Sequence, residues 1–254
     1  MKHKQFVLLS GGLDSSTILA HALKFYSINQ TGADVKMQTP EAVSIDYGQR
    51  HKKEMDYARQ IAAAMGAEYS VIDLPRSLLG GVMLTDGGQP IPDASYADLP
   101  VGISPTYVPN RNMTMISILV AKAQGWVMAT QAEGNDTAKA TVYIGAHSED
   151  AANDAYPDCS PDFLQAMMRA VNIATYGTVF LEAPFMAKTK ADIVSAGDHM
   201  GVPFELTWSC YKGEALHCGT CPTCRARKDA FIKAGVSDPT VYAVQAKKIP
   251  AEAG

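Results

Sequence analysis

The stretch FVLLSGGLDSSTILAHALKF, residues 6–25, decides the fold of this chain. It starts within an apolar run over residues 5–9 that predicts a short strand, and it then turns at two glycines. Residues 14–25 follow with apolar side chains at helical spacing. A strand, a tight turn and a helix in this order are typical of the first unit of a parallel α/β sheet.

The same alternation of strands and helices continues downstream. Further strands are predicted at residues 42–45, 69–72 and 141–144, and further helices at residues 51–65, 112–124, 160–176, 189–200 and 225–234. Thr189 to Asp192 form a capping-box pattern, while residues 75–109 are rich in proline and glycine and predict a long loop. Because parallel strands joined by helices need right-handed crossovers, we expect a parallel sheet with helices on both faces.

Composition excludes several classes of protein. The chain has 254 residues, of which 47% are hydrophobic and 19% are charged, as in ordinary globular proteins. Its net charge of −4 argues against nonspecific binding along nucleic acid. Its apolar runs are too short for a membrane-spanning helix, and the run at the N-terminus is too short for a signal peptide. We therefore expect a cytoplasmic protein with no stable nucleic-acid partner and no membrane partner.

The glycine turn, residues 10–16, lies where a parallel sheet binds its ligand, past the carboxyl end of a strand. Glycines allow close backbone approach, while helix N-terminal amides and the serine hydroxyls can donate to phosphate oxygens. The turn is neither a Walker loop nor a dinucleotide fingerprint. The alternative is an ordinary turn whose helix is capped by Asp14 or Ser15.

Four of the five cysteines, Cys210, Cys218, Cys221 and Cys224, are close together in sequence. Four thiolates suit tetrahedral Zn²⁺, and a site filled by four protein ligands would organise the segment without performing chemistry. An iron–sulfur cluster and a site in which His217 replaces one cysteine are alternatives. We expect an α/β domain over residues 1–205 and a small zinc-binding helical segment over residues 206–254.

The string SGGLDS after an N-terminal strand resembles the pyrophosphate loop of the N-type ATP pyrophosphatases. This resemblance implies a Rossmann-like fold of the adenine nucleotide alpha hydrolase type, with ATP and Mg²⁺ as cofactors. The implied ATP-binding residues are Leu9, Ser10, Gly11, Gly12, Leu13, Asp14, Ser15, Ser16, Ile45 and Asp46.

Three further motifs, DYGQRH at residues 46–51, VPNRN at 108–112 and YPDC at 156–159, stand in order before the cysteine cluster. Together the four resemble the 7-cyano-7-deazaguanine synthase family, in which the place of Asn110 is often a glycine. The resemblance implies an ATP-dependent carbon–nitrogen ligase that converts 7-carboxy-7-deazaguanine and ammonia to the 7-cyano compound, a precursor of queuosine. Adenylated carboxylate and amide intermediates and a homodimer are also implied.

This chemistry needs cations and a ring-binding surface. Asp14, Ser15, Arg111 and Lys190 are the candidate catalytic residues, and the last two would neutralise phosphate or adenylate charge. A purine-like ring needs aromatic walls and polar groups at its edge. Tyr47, Gln49, Tyr107 and Tyr156 are candidates, with Asp158 as acceptor for a guanine-type amine. The tyrosines have a structural alternative, and Lys190 could be a solvated charge.

Cys159 stands between acidic residues, so we expect it to form pocket wall and not a nucleophilic thiolate. Three other functions stay open at this point. They are a related enzyme that stops at an amide or uses another amine, a tRNA-thiolating enzyme, and a zinc-stabilised nucleic-acid-binding module without catalysis.

Overall fold

The computed structural model describes residues 1–29, 35–49, 53–85, 91–93, 95, 102–150 and 155–243. The strands are β1 (Lys2–Leu8), β2 (Lys36–Met37), β3 (Glu41–Asp46), β4 (Glu68–Asp73), β5 (Lys139–Tyr143) and β6 (Val179–Glu182). The helices are α1 (Leu13–Asn29), α2 (Lys53–Met65), α3 (Arg111–Ala132), α4 (Pro161–Ala174), α5 (Lys190–His199) and α6 (Pro222–Ala234). Short 3-10 turns lie at Pro157–Cys159 and Phe204–Leu206.

The sheet is parallel throughout the described pairings, in the order β4, β3, β1, β5, β6, and β2 pairs with the start of β1. β1 is central because both of its edges are hydrogen-bonded; Phe6 is in register with Glu41 of β3 and with Val142 of β5. Its buried apolar run explains this position, since a strand covered on both faces is apolar on both sides.

Helices cover both faces of the sheet. Phe6 joins the hydrophobic cluster that contains α3 and α4 residues, whereas the next residue, Val7, joins the cluster of α1, α2 and α5. Successive side chains of a strand point to opposite faces, so these two clusters are the two cores of a three-layer fold. The predicted fold class is confirmed.

The predicted strands and helices are present with small shifts, and β2 and β6 were missed because runs of two and four residues carry no readable period. The prediction ended α3 at residue 124, but the helix continues through Gly125 because Val127 and Thr130 extend its buried face. The long loop over residues 75–109 contains residues outside the described ranges, as do the first two residues of the helix predicted at 51–65.

The C-terminal segment packs onto the main fold. Phe231 of α6 lies in the cluster of α1 and α5, with its ring centroid 5.1 Å from that of Phe204. The division at residue 205 stays a prediction. Among the described helices, none combines the length and apolarity that crossing a membrane requires.

Gly197 tests the packing of α5 on α1. A Cβ there would lie 2.6 Å from the Phe204 ring and 2.9 Å from the Thr17 hydroxyl. We expect Gly197→Ala to lower the free energy of unfolding by about 1–3 kcal/mol despite the better helix propensity of alanine. Gly125→Ala is the control, because nothing lies within 4 Å of its added Cβ. This variant should raise the free energy of unfolding by up to about 1 kcal/mol. Urea titration measures both, and equal stabilities would contradict the packing.

Candidate active site

A pocket opens at the carboxyl edge of β1, β3 and β5, where ligands bind in parallel α/β sheets. Many of the residues predicted from the sequence line it. They are Leu9, Ser10, Gly12, Leu13, Asp14, Ser15, Ile45, Tyr47, Gln49, Arg111 and Lys190.

The glycine turn is held by its own hydroxyls and by a close contact with α2. Ser15 Oγ lies 3.0 Å from Ser10 Oγ and donates to the Gly12 carbonyl at 3.2 Å. Gly11 has φ 78°, and a Cβ there would lie 2.4 Å from the Glu54 carbonyl oxygen. Only glycine fits both the backbone conformation and the space, so the turn has one arrangement.

Ser16 and Asp46 bond to backbone groups near the pocket. Ser16 is fully buried, and its hydroxyl donates to the Gly12 carbonyl at 2.7 Å, so it supports the turn from behind. Asp46 Oδ1 accepts from the Gly48 amide at 3.0 Å and orders the chain after β3.

A cluster of half-buried charged side chains lies at the turn. Lys190 Nζ is 3.0 Å from Asp14 Oδ2 and 3.4 Å from His147 Nε2, and His147 Nε2 is 3.3 Å from Asp150 Oδ1. Burial opposes ionisation of Asp14, but Lys190 and His147 hold the pKa of that carboxyl below its ordinary value. For Asp150 burial prevails and raises the pKa. Burial also opposes the charge of Lys190, yet its acidic neighbours raise the pKa of the ammonium.

The cluster has spare hydrogen-bonding capacity. Among the described residues, Asp14 Oδ1 and His147 Nδ1 are buried and have no hydrogen-bond partner. A buried unpaired polar atom is costly, so both atoms are available to bind a water molecule or a ligand in the pocket.

Further along the pocket lie Tyr47, Glu54 and Arg111. Burial raises the pKa of the Glu54 carboxyl to about 7, although the Arg111 guanidinium acts in the opposite direction. Tyr47 is buried, which raises its pKa, and it hydrogen-bonds Arg111. Gln49 Oε1 accepts from the Tyr47 amide at 3.0 Å and so fixes the backbone of this tyrosine.

Three predicted substrate residues are not among the described residues that line the pocket: Tyr107, Tyr156 and Asp158. The two tyrosine rings lie 6.4 Å apart, and the Tyr156 hydroxyl is bonded to Ser104 and Thr106. Their role in substrate binding stays a prediction, and the contacts seen here are structural.

Asp158 is buried and caps α3. Its Oδ2 accepts from the Asn112 amide at 2.9 Å, in a first turn whose N-cap residue, Asn110, supplies no side-chain bond. Asn110 has φ 52°, a conformation that suits glycine and that asparagine tolerates. Asparagine at position 110 is therefore compatible with the backbone conformation of this turn.

Cys159 lines the pocket, as expected for a wall residue. Burial and the nearby acidic groups raise the pKa of its thiol, and Asn112 Nδ2 donates to its sulfur at 3.0 Å. A thiol held in this way is not an activated nucleophile.

The four clustered cysteines form a candidate metal centre. Cys210, Cys218, Cys221 and Cys224 are buried, and their sulfur atoms all lie within 4.8 Å of one another. His217 lies outside this group, because its Nε2 accepts from the Ser209 amide at 3.1 Å and burial lowers its pKa to about 4. Four sulfur ligands at this spacing fit a tetrahedral metal ion.

Residues 208–224, called the cysteine segment below, also form one wall of the pocket. Trp208, Ser209, Tyr211 and Thr223 line it, and the Trp208 amide donates to the Gly11 carbonyl at 2.8 Å. No sequence pattern indicated these residues beyond their nearness to the cysteines.

Glu54, His147 and Asp150 were also missed. His147 and Asp150 follow the end of β5, so the rule that ligands bind at the carboxyl ends of strands would have indicated them. Glu54 lies in the first turn of α2, where the sequence alone predicts an acidic side chain exposed to solvent.

Comparison with known proteins identifies the family. The family described as "Queuosine biosynthesis protein QueC" matches residues 4–235. The chain belongs to the QueC family. Its predicted membership is therefore confirmed over nearly the whole sequence.

Curated relatives of this QueC chain carry one name. The 7-cyano-7-deazaguanine synthase of Pseudoalteromonas atlantica is 38% identical over 95% of this chain and 100% of its own length. The synthase of Ruegeria sp. is 42% identical over 94% of this chain and 93% of its own length.

NMN synthetase from Francisella tularensis resembles the structure, with a TM-score of 0.38, 12% identity, and coverage of 96% of this chain and 80% of that one. A score this low carries no argument about function.

Asp158→Ala tests the cap on α3. Removing the carboxylate leaves the buried Asn112 amide unpaired, so we expect a loss of about 1–2 kcal/mol in the free energy of unfolding. Asp162→Ala is the control, since Asp162 is an exposed acid in the first turn of α4. Urea unfolding compares the two. A loss no larger than that of the control would contradict the capping role.

Proposed function

We propose that this QueC protein converts 7-carboxy-7-deazaguanine and ammonia to 7-cyano-7-deazaguanine at the expense of ATP. Family membership supports the reaction. The observation that carries it in the structure is the half-buried Lys190 ammonium, 3.0 Å from Asp14 in the glycine turn, at the carboxyl edge of the sheet. A cation and several hydrogen-bond donors of the glycine turn lie together here, and such groups stabilise the negative charge that develops on a departing pyrophosphate.

A carboxylate is a poor electrophile, and the proposed chemistry follows from that. Its oxygen attacks the α-phosphorus of ATP, pyrophosphate leaves, and ammonia then displaces AMP to give the amide and one proton. A second ATP activates the amide oxygen in the same way, with release of pyrophosphate and of one amide proton, and departure of AMP together with the second N–H proton then gives the nitrile. In both activations the turn amides, Ser15 and Lys190 hold the pyrophosphate, while Arg111 balances adenylate or carboxylate charge.

The turn also fits a divalent cation. Asp14 Oδ1 is buried without a partner among the described residues, and Asp150 lies in the same cluster. Carboxylate oxygens are the ligands that Mg²⁺ prefers, together with substrate phosphates. When bound, Mg²⁺ would neutralise charge on the leaving pyrophosphate.

Tyr47 and Gln49, which line the pocket, would contact the ring of the substrate. Ile45 at the end of β3 would contact the adenine, with Asp46 next to it ordering the turn that follows. The homodimer, the cytoplasmic location and the domain division at residue 205 belong to the same proposal and rest on the family resemblance and composition.

The test is the mass of the product. Pure protein is incubated with ATP, Mg²⁺, ammonia and 7-carboxy-7-deazaguanine, and the nitrile is expected. An amide as end product would indicate the related enzyme that stops early. Absence of both would contradict the proposed reaction, and thiolated tRNA formed with a sulfur donor would favour the thiolase alternative.

Lys190→Met should lower kcat by about a hundredfold or more, because it removes a buried cation from the leaving group. Lys188→Met is the matched control, since Lys188 is exposed two residues earlier and should leave kcat unchanged. Steady-state rates of pyrophosphate release measure both. Equal rates for the two variants would show that Lys190 does not contribute to the reaction.

Zinc is the metal we propose for the cysteine cluster. Cys221→Ser should lose the metal and lower solubility, because a structural site contributes directly to folding. Cys159→Ser, which alters a cysteine outside the cluster, should keep about one zinc ion per chain. Elemental analysis measures the metal, and visible absorbance would reveal an iron–sulfur cluster instead. A folded, active Cys221→Ser variant without zinc would contradict the structural role.

A further inference from the structure

The substrate named in the proposed function presents a guanine-type edge, with a ring N–H beside an exocyclic amino group. Two adjacent donors are best met by a carboxylate, whose two oxygens accept both bonds with the help of its charge. Asp158, the acceptor expected from the sequence, is committed to the Asn112 amide. Asp158 is also not among the described residues that line the pocket, so the acidic side chains that do line it are better placed for this role.

The acidic side chains among the described residues that line the pocket are Asp14, Glu54 and Asp150. Asp14 is paired with Lys190, and Asp150 lies 3.3 Å from His147 Nε2. Both belong to the phosphate end of the pocket. Glu54 is separate from that cluster, and the charged group described as acting on it is Arg111.

The position of Glu54 is fixed by its neighbours. Its carbonyl oxygen packs against Gly11 of the turn, which sets how closely the start of α2 approaches the turn. On the other side, Lys53 Nζ lies 5.2 Å from the centroid of the Trp208 ring, and the Tyr57 ring is also 5.2 Å from it. The first turn of α2 is thus clamped between the glycine turn and the cysteine segment.

Aromatic side chains lie along the same part of the pocket. Tyr47, Trp208 and Tyr211 line it, which gives flat apolar surfaces for a bicyclic ring. Tyr47 is close enough to Glu54 for the carboxylate to influence its ionisation. A ring that packs on these surfaces would bring its polar edge within reach of the carboxylate.

We propose that Glu54 reads the guanine-type edge of the deazaguanine, its two oxygens accepting from the ring N–H and the exocyclic amino group. This assignment rests on the proposed function and adds a specificity-determining residue to it. The adenine of ATP fits Glu54 poorly, because its amino donor stands beside a ring nitrogen that is an acceptor.

The ionisation of Glu54 gives the assignment a pH signature. Burial raises its pKa to about 7, and the groups described as facing it are Tyr47, which burial keeps neutral, and Arg111, which stays cationic. Only the ionised carboxyl accepts two bonds, so binding of the ring should weaken as the pH falls below about 7. Glutamine at this position does not titrate and should remove that dependence.

The experiment compares Glu54→Gln with the wild type on two substrates, 7-carboxy-7-deazaguanine and its analogue without the amino group. For the wild type, the KM of the analogue should be about 10–100-fold higher, the equivalent of one charge-assisted hydrogen bond. For Glu54→Gln, the KM of the natural substrate should rise by a similar factor, and the preference between the two should shrink to about threefold or less. kcat and the KM for ATP should change little.

Asp56→Asn is the matched control, because Asp56 is an exposed acidic residue in the same first turn of α2. It should keep the wild-type preference. Melting temperatures show that the variants are folded, and Glu54→Asp provides a second variant that keeps the charge but shortens its reach. It should lose part of the preference.

Each other outcome overturns the assignment. A rise in the KM for ATP would show that Glu54 contacts adenine. A fall in kcat for both substrates with KM unchanged would make Glu54 a proton acceptor, and an unchanged preference would remove it from the site. A wild-type protein that forms neither amide nor nitrile would instead contradict the proposed function.

Discussion

The contact at Gly11 is the constraint on which the rest of the site depends. Here the glycine turn, the start of α2 and the cysteine segment meet within a few atoms, through the Glu54 carbonyl and the Trp208 amide. Any side chain larger than hydrogen would push α2 away. The glycine turn, the carboxyl of Glu54 and the wall at Trp208 are therefore placed by one local close approach.

The charged side chains that line the pocket fall into two groups, one at the glycine turn and one further along. At the turn, Lys190 balances Asp14, and the partial positive end of α1 adds to the positive potential there. A buried ion pair of this kind contributes little to stability, because desolvation offsets its Coulomb energy. Its retention at the turn is better explained by the work it can do on an incoming anion. Glu54, further along, is left with a raised pKa because no comparable pair among the described residues compensates its burial.

The parts of the site that are formed by contiguous residues could be predicted from the sequence, whereas most contacts between residues distant in sequence could not. The turn, its strand and the helix after it are contiguous, so local pattern predicted their positions. Lys190 was predicted because the helix dipole disfavours a cation in the first turn, although its contact with Asp14 spans 176 residues. The cap that Asp158 provides for α3 and the burial of Glu54 beside Arg111 were not predicted, because both depend on tertiary packing. No period or motif records such contacts.

The cysteine segment links metal binding to the pocket through a short chain of contacts. The Cys210 carbonyl accepts from the Trp208 indole at 2.9 Å, and the Trp208 backbone in turn holds Gly11. The His217 ring lies 4.3 Å from the Trp208 ring, and the buried Arg227 bonds the Thr207 hydroxyl at 2.7 Å. A metal that fixes the cysteines therefore also fixes the wall at Trp208. Its loss would loosen the glycine turn from one side while leaving the sheet intact, so a metal without an open coordination position still governs the geometry of the pocket.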